Sequence, residues 1–236
     1  LRVTKKNTNK IKDIEPPKKC PVCGGETYKE KNEVVLRCTN TYGCYAQKIS
    51  QIIHFISKKA LNIDGFGEKQ AKQFYDLKII NNIVDIFLLE ENKTIIENLE
   101  GWGALSFSNL ISSIEKSKKI SLEKFIYSLG IRFIGETNAE ILAKELKNIR
   151  NFISLSDNSS SLSNIDGLGP KAVSSIVEYF SYTQNLILIK KLSKILNIND
   201  NIILNSKNFF NKKSIVFTGT LKSISRDEAK YRAKEV

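Results

Sequence analysis

All four cysteines of this chain lie in one stretch, "KKCPVCGGETYKEKNEVVLRCTNTYGCYAQK", residues 18–48, and their spacing restricts what the chain can fold into. The order is Cys20-x2-Cys23, fourteen intervening residues, then Cys38-x5-Cys44. Two thiols at the ends of a tight knuckle reach one tetrahedral ion, and a second knuckle supplies the other pair. Pro21 fixes φ in the first knuckle, and Gly24 and Gly25 permit left-handed backbone there. The alternation around residues 34–36 predicts a small hairpin between the pairs. Two disulfides would also use all four thiols, although a reducing compartment disfavours them. A redox Cys-x-x-Cys would leave Cys38 and Cys44 idle. The spacing points to structural Zn²⁺ held by Cys20, Cys23, Cys38 and Cys44. Four sulfur ligands leave no position for water or substrate, so such an ion builds fold and does no chemistry. His54 sits on an apolar helical face and is expected to pack there without joining the ligands.

Beyond the cysteines the pattern becomes helical and repeats. Four segments align on a turn: Gly65-Phe66-Gly67, Gly101-Trp102-Gly103, Phe133-Ile134-Gly135 and Gly167-Leu168-Gly169. Successive turns begin 36, 32 and 34 residues apart. Four residues after each last glycine stands an inward apolar residue: Ala71, Phe107, Ala139 and Val173. Seven after it stands another: Phe74, Leu110, Leu142 and Ile176. That spacing is one helical face, so each unit reads as helix, glycine turn, helix.

Glycines let the main chain approach another surface without an intervening Cβ. The first amides of the following helix point outward with partial positive charge, which makes a phosphate seat without base preference. The central residues Phe66, Trp102, Ile134 and Leu168 are expected to pin each hairpin to its helices. Lys69 and Lys171 stand two residues after their last glycine, where a charged phosphate contact fits. Leu105 and Thr137 occupy the matching places in the other two units, so the second hairpin reads as the weakest DNA contact. A helical solenoid that binds protein is the competing reading of the repeat.

Charge supports a polyanionic partner. Lys and Arg number 37 against 25 Asp and Glu, a formal net charge of +12, which favours salt-dependent binding to nucleic acid. Codon bias toward Lys, Asn and Ile is an alternative source of part of that excess. The apolar runs are too short to cross a bilayer, and the basic, polar start lacks the apolar core of a secretory signal. The chain begins at Leu1 without any methionine, so it reads as a piece of a longer protein. Asn-rich residues 197–211 read as a linker, and residues 214–218 as a strand ending at Gly219. Ser225-x-x-Glu228 is a capping box opening a helix that carries Ala229 and Ala233.

The "CPVCGG…RCTN" finger, the four hairpins including "LGIRFIGETNAEILAKEL", and the terminal "VFTGTL…SRDEAK" together resemble the C-terminal half of bacterial NAD-dependent DNA ligase. The resemblance implies a mainly α fold: a four-cysteine zinc finger, four helix–hairpin–helix units in a SAM/RuvA-like helical domain, then the first strand and helix of a truncated BRCT α/β domain. It implies boundaries at 1–17 (tail of an OB-fold domain), 18–48 (finger), 49–196 (hairpin domain), 197–211 (linker) and 212–236 (BRCT start). The implied partners are nicked double-stranded DNA and the adenylation and OB-fold domains of the same enzyme, in a cytoplasmic, nucleoid-associated bacterial setting. The implied DNA contacts are Gly65, Gly67, Lys69, Gly101, Gly103, Arg132, Gly135, Thr137, Gly167, Gly169 and Lys171. In such ligases AMP passes from NAD to a lysine of a Lys-x-Asp-Gly motif, then to the 5′-phosphate, and the 3′-hydroxyl displaces it. No such motif stands here, since "NIDG" from Asn62 lacks the lysine. NAD and Mg²⁺ are therefore expected to act mainly outside this segment, and no catalytic residue is expected within it. A free-standing hairpin-and-finger DNA-binding module, such as an accessory of a repair nuclease, is the alternative.

Overall fold

The computed structural model describes residues 16–30 and 33–200, together with 215–219, 221, 223, 224, 229 and 233. The cysteine stretch forms the expected hairpin, an antiparallel ribbon of β1 (Thr27–Lys29) and β2 (Leu36–Cys38) with Tyr28 opposite Arg37. Strands this short bury too little surface to stand alone. The ribbon therefore depends on the sulfur cluster and on the helices that follow.

Helix α1 (Tyr45–Ile56) begins directly after Cys44 and buries Ile49, Ile52, Phe55 and Ile56, an amphipathic stripe. It is followed by α2 (Glu68–Asp76), α3 (Lys93–Glu97), α4 (Ala104–Ser117), α5 (Leu122–Ser128), α6 (Glu136–Leu146), α7 (Ile149–Ile153), α8 (Pro170–Ser181) and α9 (Thr183–Ile195). The repeated turns separate α1 from α2, α3 from α4, α5 from α6, and α7 from α8. Two leading helices are irregular. A 3₁₀ segment, Asp85–Asn92, runs into α3, and α7 gives way to short 3₁₀ turns at Ser154–Ser156 and Ser160–Asn164. Ser and Asn side chains compete for backbone partners in that last stretch, which weakens a regular helix.

The inward positions follow the repeat with one correction. Ala71, Phe107 and Ala139 are buried, as are Phe74, Leu110, Leu142 and Ile176. In the fourth unit Ala172 is buried and Val173 is only half-buried. The cause is a tighter first turn: the Gly169 carbonyl accepts from the amides of both Ala172 (2.9 Å) and Val173 (3.1 Å). An i+3 bond of this kind turns the helix further per residue.

Phe66, Ile134 and Leu168 are buried, and Trp102 packs half-buried against the same core. Phe74 lies between Phe66 (5.4 Å between ring centres) and Trp102 (5.0 Å). Farther along the chain Phe152 contacts Phe125 at 6.5 Å and Phe180 at 5.3 Å. Both aromatic groups belong to one continuous core. The helical body is closed by β3 (Lys119–Ser121) pairing in parallel with β4 (Asn197–Asn199). Those asparagine-flanked residues, expected to open a linker, instead form a strand because a partner from a distant part of the chain supplies the ladder.

The finger spans the first and last units. Tyr45 meets the edge of Tyr75 at 5.4 Å and donates its hydroxyl to Asp76 Oδ1 at 2.9 Å. Tyr42, between the second pair of cysteines, contacts Tyr182, between α8 and α9, at 5.5 Å. Toward the chain end, residues 215–218 carry no strand, which corrects the expected β-element there. Among the described residues none pairs with this segment, and a strand needs a ladder. Ala229 and Ala233 are helical as expected, while residues 1–15, Ser214 and the capping-box pair Ser225 and Glu228 lie outside the described residues.

Phe74→Ala is expected to lower unfolding free energy by about 3–5 kcal/mol. Chemical denaturation measures it, with Trp102, the only tryptophan, as the fluorescent reporter. A loss below about 1 kcal/mol would contradict the central placement of this ring.

Candidate metal centre and nucleic-acid interface

The four cysteine sulfurs lie within 4.8 Å of one another, and all four cysteines are free of disulfides. Zinc–sulfur bonds of about 2.3 Å in a tetrahedron place sulfurs about 3.8 Å apart, and Cys23 and Cys38 Sγ stand at 3.4 Å. The donor set and its spacing fit a structural zinc ion. Local backbone explains how the knuckle closes. Gly24 adopts φ +70°, its amide bonding the Cys20 carbonyl at 2.9 Å. Gly25 is favoured for a different reason: a Cβ there would stand 3.3 Å from Cys23 Sγ and 3.2 Å from Asn40 Cβ, so these neighbours would have to give by a few tenths of an ångström.

Backbone N–H groups of Cys23 and Val22 point at Cys20 and lower its thiol pKa to about 7. At Cys38 the Asn40 N–H acts in the same direction, but burial and the neighbouring thiols Cys23 and Cys20 push it up to about 11. Four thiols this close cannot all ionise without a cation, so binding a divalent ion expels protons. His54 takes no part: its Nε2 lies 2.8 Å from the Tyr127 carbonyl and its ring packs on Tyr127 at 4.7 Å.

The hairpin turns share one geometry. In each, the central residue donates its amide to the carbonyl three residues back: Phe66 to Ile63, Trp102 to Leu99, Ile134 to Ile131 and Leu168 to Ile165. The residue before it has positive φ: Gly65 (+78°), Gly101 (+80°), Phe133 (+60°) and Gly167 (+80°). A β-turn with a left-handed third residue favours glycine there, so Phe133 is the departure.

The closing glycine of each turn is the N-cap of the next helix. Its conformation is extended, with φ at Gly135 of −81° and at Gly169 of −68°, open to any residue. A Cβ added at Gly103, Gly135 or Gly169 would meet no atom within 4 Å. Neither backbone strain nor internal packing therefore asks for glycine at these three positions. None of the four helices has a side-chain cap from its N-cap residue, whereas Asn148 caps α7 by accepting from the Asn151 amide. Among the described residues no side chain accepts from the first amides of α2, α4, α6 and α8, which leaves them for outside acceptors. At α4, Ser106 Oγ accepts from the Gly103 amide at 2.9 Å, and at α8 Pro170 removes one donor.

Lys69, Thr137 and Lys171 are exposed beside these helix starts. Leu105, in the corresponding place of the second hairpin, is 76% exposed. Glu68 and Glu136 also stand in first turns, each paired with a lysine at 2.5 Å: Glu68 with Lys72, Glu136 with Lys59. Arg132 is placed differently from the other candidates. Its guanidinium pairs with Glu30 and Glu33 of the finger, and Lys171 Nζ lies 4.0 Å from Glu33. Those carboxylates escaped the sequence reading because nothing local links them to a residue about a hundred positions away.

Two family descriptions match the chain. Residues 19–46 match the NAD-dependent DNA ligase C4 zinc finger domain, and residues 124–189 match the helix–hairpin–helix motif. Similarity also extends along almost the whole chain. A DNA ligase of Pelagibacter ubique is 46% identical over 96% of this chain. DNA ligases of Rickettsia prowazekii and Rickettsia typhi are each 41% identical over 99% of it. The chain belongs to the NAD-dependent DNA ligase family. It spans about a third of the length of the curated ligases it matches, 34–36% of each of these. Within the family it carries the zinc-finger and helix–hairpin–helix parts. No helix among the described residues is long and apolar enough to cross a membrane.

Chelation, or Cys38→Ser, is expected to unfold the finger and expose residues 18–48 to limited proteolysis, because metal binding in such a ribbon is folding energy. Unchanged near-UV circular dichroism and cleavage would exclude that role. Zinc affinity is expected to fall progressively as pH drops from about 11, the value at Cys38, and more steeply below about 7, the value at Cys20, as protons compete for sulfur. Chelator competition across pH measures this.

Proposed function

We propose that this chain is the DNA-gripping portion of an NAD-dependent ligase that joins 3′-hydroxyl and 5′-phosphate ends at nicks during replication and repair. The hairpins would seat backbone phosphates on free amides around Gly65, Gly67, Gly101, Gly103, Gly135, Gly167 and Gly169. Lys69, Lys171, Arg132 and Thr137 would add side-chain contacts. The observation that carries this reading is the set of uncapped helix starts, three of them opened by glycines that neither strain nor packing requires. Backbone of that kind can be approached closely by a sugar–phosphate rail. The excess of 12 positive charges acts in the same direction.

In this division of labour the chain orients the nicked duplex, which is the entropic part of catalysis. The adenylated lysine, the NAD site and most Mg²⁺ contacts belong to adenylation and OB-fold domains of the same enzyme. Residues 18–48 would be the finger domain, 49–196 the hairpin domain, 197–211 a linker and 212–236 the start of a BRCT domain, with residues 1–17 the tail of the OB-fold. The setting is the bacterial cytoplasm, at the nucleoid.

Gly169→Val is the cleanest test, because its φ of −68° accepts valine and no atom lies within 4 Å of the new Cβ. Thermal stability is expected to stay within about 1 kcal/mol, while affinity for nicked duplex falls about tenfold or more with no change in sequence preference. A sequence-selective loss, or none, would count against phosphate seating. Incubated alone with labelled NAD, the chain is expected to form no AMP adduct. Mixed with an adenylation half, it is expected to support nick sealing.

A further inference from the structure

The finger touches the helical body in two chemically different ways. Near Cys44 the contact is aromatic and hydrogen-bonded, through Tyr42 on Tyr182 and Tyr45 on Tyr75 and Asp76. At the far end of the ribbon the contact is ionic. Arg132 Nη1 donates to Glu30, and Nη2 donates to Glu33. Arg37 Nε lies 3.7 Å from Glu33, and Lys171 Nζ 4.0 Å from it. Three cations thus surround two carboxylates. Phe133 completes the group, with the Arg132 guanidinium 4.5 Å and Lys171 Nζ 5.4 Å from its ring centre.

This group lies at the third and fourth hairpins. Arg132 and Phe133 are in the third turn, and Lys171 is in the first turn of α8. The carboxylate oxygens therefore occupy an anion position against side chains of two of the hairpins proposed above to seat phosphate. Resting on that reading, we propose that Glu30 and Glu33 are an internal phosphate surrogate. They hold Arg132 and Lys171 until a DNA backbone displaces them, which makes the end of the finger an autoinhibitory contact.

Three observations favour a displaceable contact over a permanent brace. The cluster stays open to water on one side: Glu30 and Arg132 keep 39% and 33% of their side-chain surface, and Val34 is 90% exposed, although Glu33 keeps 14%. Ion pairs that remain open to water on one side are weakened and partly screened by salt. The pairing is also incomplete: Arg132 Nε is buried without a hydrogen-bond partner, because each fork nitrogen meets a different carboxylate. A single anion seated side-on can take two donors of the guanidinium together. Finally, the aromatic contacts near Cys44 can keep the finger attached while its far end swings.

The test compares the unaltered chain with Glu30→Gln/Glu33→Gln by fluorescence anisotropy on nicked duplex over a salt series. Zinc content and melting temperature are measured alongside. Retained zinc and about three- to tenfold tighter binding at low salt are expected, the range for releasing partly exposed pairs. The gain should vanish when Arg132→Gln is added. Equal or weaker binding by the double variant would make the carboxylates a brace and overturn the proposal. If the double variant loses zinc or fold, Glu30→Gln alone decides, with tighter binding expected and no gain overturning it. Absence of binding by both the unaltered chain and the folded double variant overturns the DNA-seating reading and this one together. Binding by the double variant alone supports both.

Discussion

A helix cannot satisfy the first amides of its own backbone, and this chain places four such helix starts behind tight turns without capping side chains. Much of the architecture follows from holding those starts in place. The positive-φ residue reverses the chain, the central apolar residue anchors the turn, and the closing glycine leaves the amides open to approach. Phe66 and Trp102 tie two turns to one aromatic group around Phe74. The parallel β3–β4 pair then joins the segment between α4 and α5 to the end of α9, so the helical body closes on itself.

The finger braces this body by joining units far apart in the chain. A ribbon of three-residue strands has little core, so the sulfur cluster supplies its cohesion. Cys44 passes directly into α1, and the tyrosines on either side of that junction reach the first and the last hairpin units. Metal at the cluster is thereby coupled to the relative placement of hairpins far apart in sequence. The acidic far end of the ribbon adds a second, ionic contact with the opposite chemistry.

Much of this was legible in the residues. The cysteine spacing pointed to one metal cluster, and the sulfurs do converge. The repeated turns and their inward apolar residues appear at the expected positions in three units, because local rules of φ and helical periodicity act within ten residues. Where long-range partners decide, the reading failed. Asn197–Asn199 looked like linker until Lys119–Ser121 supplied a ladder. Residues 215–218 had strand composition but carry no strand. Val173 lost the inward place to Ala172 through a first-turn bond that composition does not reveal.

Residue order alone settles the metal-ligand set, the number and spacing of the hairpins and the family to which they point. Each of these rests on short-range covalent geometry and on periodicity along one segment. Folding in three dimensions is what brings Arg132 to face Glu30 and Glu33, gives Phe133 its positive φ beside them, and stretches the finger across the first and last units. Those outcomes depend on which distant surfaces meet. Charges some hundred residues apart acquire an interaction energy only after the chain has folded and removed much of the water between them.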